Sequence, residues 1–339
     1  MSSVTQRSGS KTRGYHRKRV PEVTLNMEDL RYFWDTDSNL ESPINVLVKL
    51  VRPLTVPKLL WYNVKVKPYK TKITNNGYSV FVTSKWGRTM PFISDGPLAE
   101  KKFLFYNMHF HWSDTNAKGS EHKINHEIFP FEMHVLWRNE AYKTARKAKR
   151  EYDGIVIMAY LFEVSPNENQ LLEPIVDCLE EVKKGVSSTY MKDSASVSEL
   201  IRLFEDDYFL YRGCVKDSKM THQVTWMVSK QIQQIGTKQI AKFRHLLKTN
   251  GFPIARNSRG TTEMSNERMV YHVRPRSLSL AMGMHYNRLS RTAFFYSYFQ
   301  RTPFMIEDRE PPFKEGFSKG KKIQNNIRRP YGTSTRRSV

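Results

Sequence analysis

Seven short runs rich in Val, Ile, Phe, Tyr and Thr recur between turn signals: INVLVKLV, WYNVKVKPY, YSVFVTS, KFLFYNMHFHW, FPFEMHVLW, GIVIMAYLFEV and HQVTWMVSK. Branched and aromatic side chains suit a pleated, half-buried surface, so each run predicts a strand. Helical spacing is sparse, confined to NQLLEPIVDCLEEVKKG, VSELIRLF and KQIAKFRHLL. No repeat of fixed period is visible, which argues against a propeller or solenoid. The pattern predicts a mostly β fold, one large sheet with peripheral helices. A chain of 339 residues, 39% hydrophobic and 12% aromatic, can bury the core such a sheet needs.

Charge divides the chain. The net charge is +22, and much of it lies at the ends. Residues 1–20 carry six Lys/Arg and no acid, and residues 314–339 carry eight against Glu315 alone. Both ends are poor in aliphatic residues, so burial cannot offset the entropy of ordering them. We expect a basic disordered arm at 1–25, a folded domain at 26–290 and a basic extension at 291–339, disordered at least from 314. Such arms suit an acidic macromolecule, either a polyanion or an acidic protein tail. A third cluster, Lys143, Arg146, Lys147, Lys149 and Arg150, reads as a solvated helix or loop face.

No run approaches the roughly 18 to 20 apolar residues of a membrane span, and the first twenty residues lack a signal-peptide core. Cys178 and Cys214 are too few for a disulfide framework. A reducing compartment follows, with cytoplasm the expectation and nucleus left open.

Three histidines carry the chemistry. In Asn107-Met108-His109-Phe110-His111-Trp112 the strand period of two places His109 and His111 on one face and Met108, Phe110 and Trp112 on the other. In Phe131-Glu132-Met133-His134-Val135-Leu136 a second strand places Glu132, His134 and Leu136 together. Were the strands neighbours, three ring nitrogens could converge at the roughly 2.0–2.1 Å that Zn²⁺ requires, leaving a fourth position for water. A histidine on a strand face is more often an ordinary core residue. Here Glu132 and Asn107 each lie two residues before a histidine, placed to accept the free ring N–H and fix its tautomer.

At these residues the sequence resembles the α-carbonic anhydrases. His109-Phe110-His111-Trp112, Ser120-Glu121-His122 and Glu132-Met133-His134 are similar to that family's zinc-site signature, with the family's interval between His109 and His134. Ser42-Pro43-Ile44-Asn45, Asn76-Gly77, Asp153-Gly154, Tyr211-Arg212-Gly213, Val224-Thr225-Trp226 and Arg274-Pro275 fall in order around it. The resemblance spans about Glu41 to Leu280 and implies a large, twisted, mostly antiparallel sheet carrying zinc in a conical cavity. It also implies reversible hydration of CO₂ to bicarbonate by zinc hydroxide, with Leu136, Ile157, Val215 and Trp226 lining the CO₂ pocket.

Departures from the family pattern bear on activity. After Tyr-x-Gly the family places a threonine that accepts a hydrogen bond from zinc hydroxide and donates its own to a glutamate. That glutamate corresponds to Glu121, but Lys216 stands at the threonine's position, followed by Asp217. A protonated lysine only donates, so it cannot take the threonine's part, and pairing with Glu121 is expected instead. Tyr78 replaces the proton-shuttling histidine of fast members, and Asn107 a longer glutamine. Three readings stand: a zinc-binding scaffold with weak or absent hydratase activity, a working enzyme with a Lys216/Asp217 gate, or a carrier for polyanion-binding arms.

Overall fold

Six of the seven runs contribute strands to a mixed, mainly antiparallel sheet of fourteen strands. The computed structural model describes the backbone of residues 23–24 and residues 40–216, 221–265 and 268–274. Its central order is Val270–Val273, Tyr208–Lys216, Thr221–Ser229, Ile155–Ser165, Phe131–Asn139, Phe103–Trp112, Val80–Lys85, Lys70–Asn75 and Ser187–Tyr190. The first run, INVLVKLV, gives only Asn45–Val46, in a separate three-stranded sheet. It ends where the Leu50 amide donates to the Leu47 carbonyl and closes a turn.

Period-two alternation sets what each face does. Phe110, Trp112 and Phe131 are fully buried beneath the helix Thr237–Arg244, where the Phe243 ring lies 4.8 to 5.5 Å from theirs. Complete burial of one such ring contributes about 1.5–3 kcal/mol, so this face anchors the sheet. The opposite face carries the histidines.

The helices are shorter than their sequence pattern predicts. NQLLEPIVDCLEEVKKG forms helix only over Glu173–Val176. Beyond it, the amides of Cys178, Leu179, Val182 and Lys183 each reach three residues back, to Ile175, Val176, Leu179 and Glu180. These tight turns bury Leu179 and Val182 where a regular helix would turn them elsewhere. The basic cluster at 143–150 holds a single helical turn, Ala145–Ala148, capped by the Thr144 hydroxyl.

Val23 and Thr24 pair in parallel with Leu54 and Thr55, so the sheet reaches into the segment assigned to the N-terminal arm. The rest of that arm and the extension from 291 lie outside the described residues, as do the ends of the 26–290 domain. Among the described residues no helix is long and apolar enough to cross a membrane.

Candidate metal centre

His109 and His111 stand on Phe103–Trp112, and His134 stands on its antiparallel neighbour Phe131–Asn139, directly opposite His109. The His134 Nδ1 atom lies 3.2 Å from both His109 Nε2 and His111 Nε2. Burial, with the neighbouring rings adding to it, depresses the His109 pKa well below its ordinary value, and that of His111 to about 4. Both rings are therefore neutral at physiological pH, the form that offers a lone pair to a metal. Among the described residues no fourth side chain joins them.

The tautomers are pinned from behind. Glu132 is completely buried and accepts four hydrogen bonds. Its Oε1 takes His134 Nε2–H and His122 Nδ1–H, each at 2.6 Å, and its Oε2 takes the amides of Glu121 at 2.7 Å and His122 at 2.8 Å. Burial opposes the charge on Glu132, but His122 and His134 outweigh it and hold the carboxyl well below the usual range. With its proton at Nε2, His134 turns the Nδ1 lone pair toward His109 and His111. The far nitrogen of His122 then accepts from the Tyr211 hydroxyl at 2.7 Å. His122, Glu132 and His134 also cluster closely enough for a metal, but Glu132 Oε1 is saturated by ring N–H groups, so this trio is a hydrogen-bond relay.

Behind His111, Nδ1 lies 3.3 Å from the Asn257 carbonyl and 3.3 Å from Glu121 Oε1. Behind His109 there is no such partner among the described residues. His109 Nδ1 and Asn107 Oδ1 are both buried and unbonded, so the amide expected to fix this tautomer does not do so. Asparagine is one methylene shorter than the glutamine that the family resemblance implies.

The expected pair between Lys216 and Glu121 does not form. Lys216 ends the strand Tyr208–Lys216 opposite Thr221, its side chain is 67% exposed, and its ammonium meets Glu41. That hydrogen bond and the Glu41 charge raise the Lys216 pKa. Glu121 is instead clamped by Arg259: Nε and the backbone amide reach Oε1 at 2.9 Å, and Nη2 reaches Oε2 at 2.7 Å. Burial works against the Glu121 charge, yet His111 and Arg259 keep its carboxyl ionised far below the usual range. Among the described residues no hydroxyl donates to it.

Leu136, Ile157 and Trp226 form one cross-strand row beside the histidines, and half-buried Val215 packs against the same cluster. The Trp226 ring stands edge-on to His134 at 4.9 Å, its indole N–H held by Ser42 Oγ at 2.9 Å. Tyr78 is 74% exposed, and its carbonyl accepts from Asn257 Nδ2. Phe81, opposite His109 across the sheet, stacks on that ring at 5.2 Å.

Comparison with known proteins settles the family. A sequence model described as eukaryotic-type carbonic anhydrase matches residues 31–274. The chain belongs to the eukaryotic-type carbonic anhydrase family. It is 29% identical over 225 residues to the carbonic anhydrase-related protein of Rattus norvegicus, covering 63% of this chain and 73% of that one. It is equally 29% identical over 213 residues to carbonic anhydrase 7 of Mus musculus, covering 62% and 78%. One relative is thus named as a carbonic anhydrase and the other as a related protein.

Sequence reasoning passed over several carbonic-anhydrase-site residues. His122 sits inside a recognised motif, but only the structure shows its ring joining Tyr211 to Glu132. Asn257 and Arg259 lie in IARNSRG, a stretch without strand or helix periodicity. The Arg274 amide of the Arg-Pro landmark bonds the Leu54 carbonyl at the sheet margin, whereas Arg259, which no motif marked, meets Glu121. Gly119 gives a local signal: a Cβ there would lie 1.9 Å from the Pro130 carbonyl oxygen, so only glycine lets Ser120-Glu121-His122 dock beside the His134 strand.

Proposed function

We propose that the domain is a zinc-holding member of the carbonic anhydrase family with weak or absent CO₂ hydratase activity, acting as a binding module. His109 Nε2, His111 Nε2 and His134 Nδ1 would hold the ion, a neutral three-imidazole set of the kind zinc uses. Once bound, zinc supplies a Lewis acid that lets water ionise near neutral pH. The chain's own contribution begins with Glu132, which keeps the proton on His134 Nε2 and so the lone pair on Nδ1. Leu136, Ile157 and Trp226 give an apolar wall that excludes water and suits CO₂.

One observation carries the low-activity reading. The Glu121 carboxylate, which in the family pattern receives a hydroxyl, is occupied on both oxygens by Arg259, while Lys216 turns out to Glu41. No group at 216 then orients the nucleophile's proton, and loss of one preorganised group of this sort costs a factor of about 10² to 10³ in rate. The raised Lys216 pKa also weighs against the alternative in which that lysine accepts a hydrogen bond.

Stopped-flow hydration on zinc-loaded protein tests this. Lys216→Thr is expected to raise the rate, and Lys216→Thr with Tyr78→His to raise it further by restoring proton export. A wild type as fast as an efficient family member, slowed by Lys216→Thr, would overturn the reading. We further propose a cytoplasmic protein whose basic terminal segments engage an acidic macromolecule.

A further inference from the structure

The sheet face that carries His109 continues outward. Residues opposite one another in a ladder share a face, so His109 leads to Phe81, then Thr74 and Ser188. The next row along the same face is Thr83, Lys72 and Tyr190, and the next is Lys85 and Lys70. The alternating residues Thr71, Ile73, Val80 and Val82 are buried, which commits this row set to the outside. Among the described residues no carboxylate pairs with Lys70, Lys72 or Lys85, whereas Lys67 nearby is engaged by Glu199 at 3.4 Å.

Two phenol rings accompany these cations. Tyr69 is 69% exposed and Tyr190 49% exposed. Lys70 Nζ sits over one face of the Tyr190 ring, 3.8 Å from its centroid, which joins the cation and the aromatic ring at the sheet margin and leaves the other face of the ring for a base. The Tyr69 amide donates to the Lys85 carbonyl at 3.0 Å, which fixes its backbone at the margin of the sheet. Lysines without a carboxylate partner among the described residues, on a sheet face beside an exposed aromatic ring, suit a ligand that offers repeated negative charge and planar groups together. Single-stranded nucleic acid does so, because lysines follow its phosphates while bases stack on rings of any neighbouring aromatic residue. An acidic polypeptide would use the charges and leave the rings idle.

We propose that the outer face of Val80–Lys85, Lys70–Asn75 and Ser187–Tyr190 binds single-stranded nucleic acid through Lys70, Lys72, Lys85 and Tyr190. This surface belongs to the folded domain and lies outward from His109 on the same sheet face.

Fluorescence anisotropy with labelled oligouridylate, run on the full chain over a salt series, tests it. The variant Lys70→Gln/Lys72→Gln/Lys85→Gln should bind about tenfold more weakly, with a log–log salt slope smaller by about 2, at about 0.7 per cation removed. Tyr190→Ser should weaken oligouridylate about fivefold and leave polyglutamate unchanged. Ultraviolet cross-linking with peptide mapping should place adducts on Tyr190, and urea midpoints should stay close to wild type because Lys70, Lys85 and Tyr190 are exposed and Lys72 is only partly buried. Adducts confined to 1–20 and 314–339, with the triple variant binding like wild type, would overturn the proposal. So would equal losses for oligouridylate and polyglutamate in the triple variant with no effect of Tyr190→Ser, which would make the face a site for acidic polypeptides.

Discussion

Arg259 grips Glu121 through two guanidinium bonds and one from its own amide, closing both oxygens of a fully buried carboxylate. The contact joins the IARNSRG loop to the motif between the histidine strands, so a residue of the catalytic pattern has become part of the tertiary structure.

Removing the guanidinium should therefore unfold the protein more readily. Arg259→Met leaves a buried carboxylate without its counter-charge, and we expect a loss of about 2–3 kcal/mol, below the roughly 3–5 kcal/mol of fully buried pairs because Arg259 is about one-third exposed. Lys216→Met, at an exposed position, should leave the midpoint unchanged. Urea titrations of both variants decide the ordering.

Zinc content should follow the three imidazoles and the carboxylate behind them. Purified protein is expected to hold about one zinc per chain, His111→Ala and His134→Ala to lose it, and Glu132→Gln to bind about 10- to 100-fold more weakly. Elemental analysis and chelator competition give the numbers; unchanged zinc in a folded His134→Ala variant would rule out the site.

Behind His109 the prediction has the opposite sign. Asn107→Gln lengthens the amide by one methylene toward an unbonded ring nitrogen. We expect about tenfold tighter zinc binding, since a partner of this kind is worth about 10- to 100-fold. Chelator competition showing equal or weaker binding would mean the amide does not reach.

Metal-free protein should lose stability on mild acidification. The folded-state pKa of His111 is near 4, below its ordinary value, so between about pH 6.5 and 4 the unfolded chain binds the extra proton. Stability is then fully present above that window and falls through it as pH drops, by up to about 1.4 kcal/mol per pH unit for each such histidine. Urea midpoints at stepped pH measure the slope, which His111→Asn should reduce and zinc should shift toward lower pH.

Much of this was legible in the sequence because strands report themselves with a period of two. That period put His109 and His111 together, and it placed Leu136 on the His134 face. Glu132 was readable for the same reason, being two residues from its histidine. What lay beyond was long-range. The Arg259 clamp joins residues 138 positions apart in a loop with no periodicity, and the turn of Lys216 toward Glu41 spans 175. Whether the Asn107 amide meets the His109 ring turns on side-chain reach, which strand spacing cannot resolve. The shortened helix after Pro174 reflects tertiary packing overriding propensity.

The four bonds accepted by Glu132 have a bearing on how such a protein can change over generations. That carboxylate ties the Phe131–Asn139 strand, the Glu121–His122 loop and one of the three clustered histidines into one buried unit, so mutations there are selected against through folding, whatever the protein is used for. Position 216 lies at an exposed strand end and can mutate without that penalty. Catalytic competence and the metal-shaped interior are therefore inherited separately: a lineage can relinquish the first in a single substitution and go on transmitting the second.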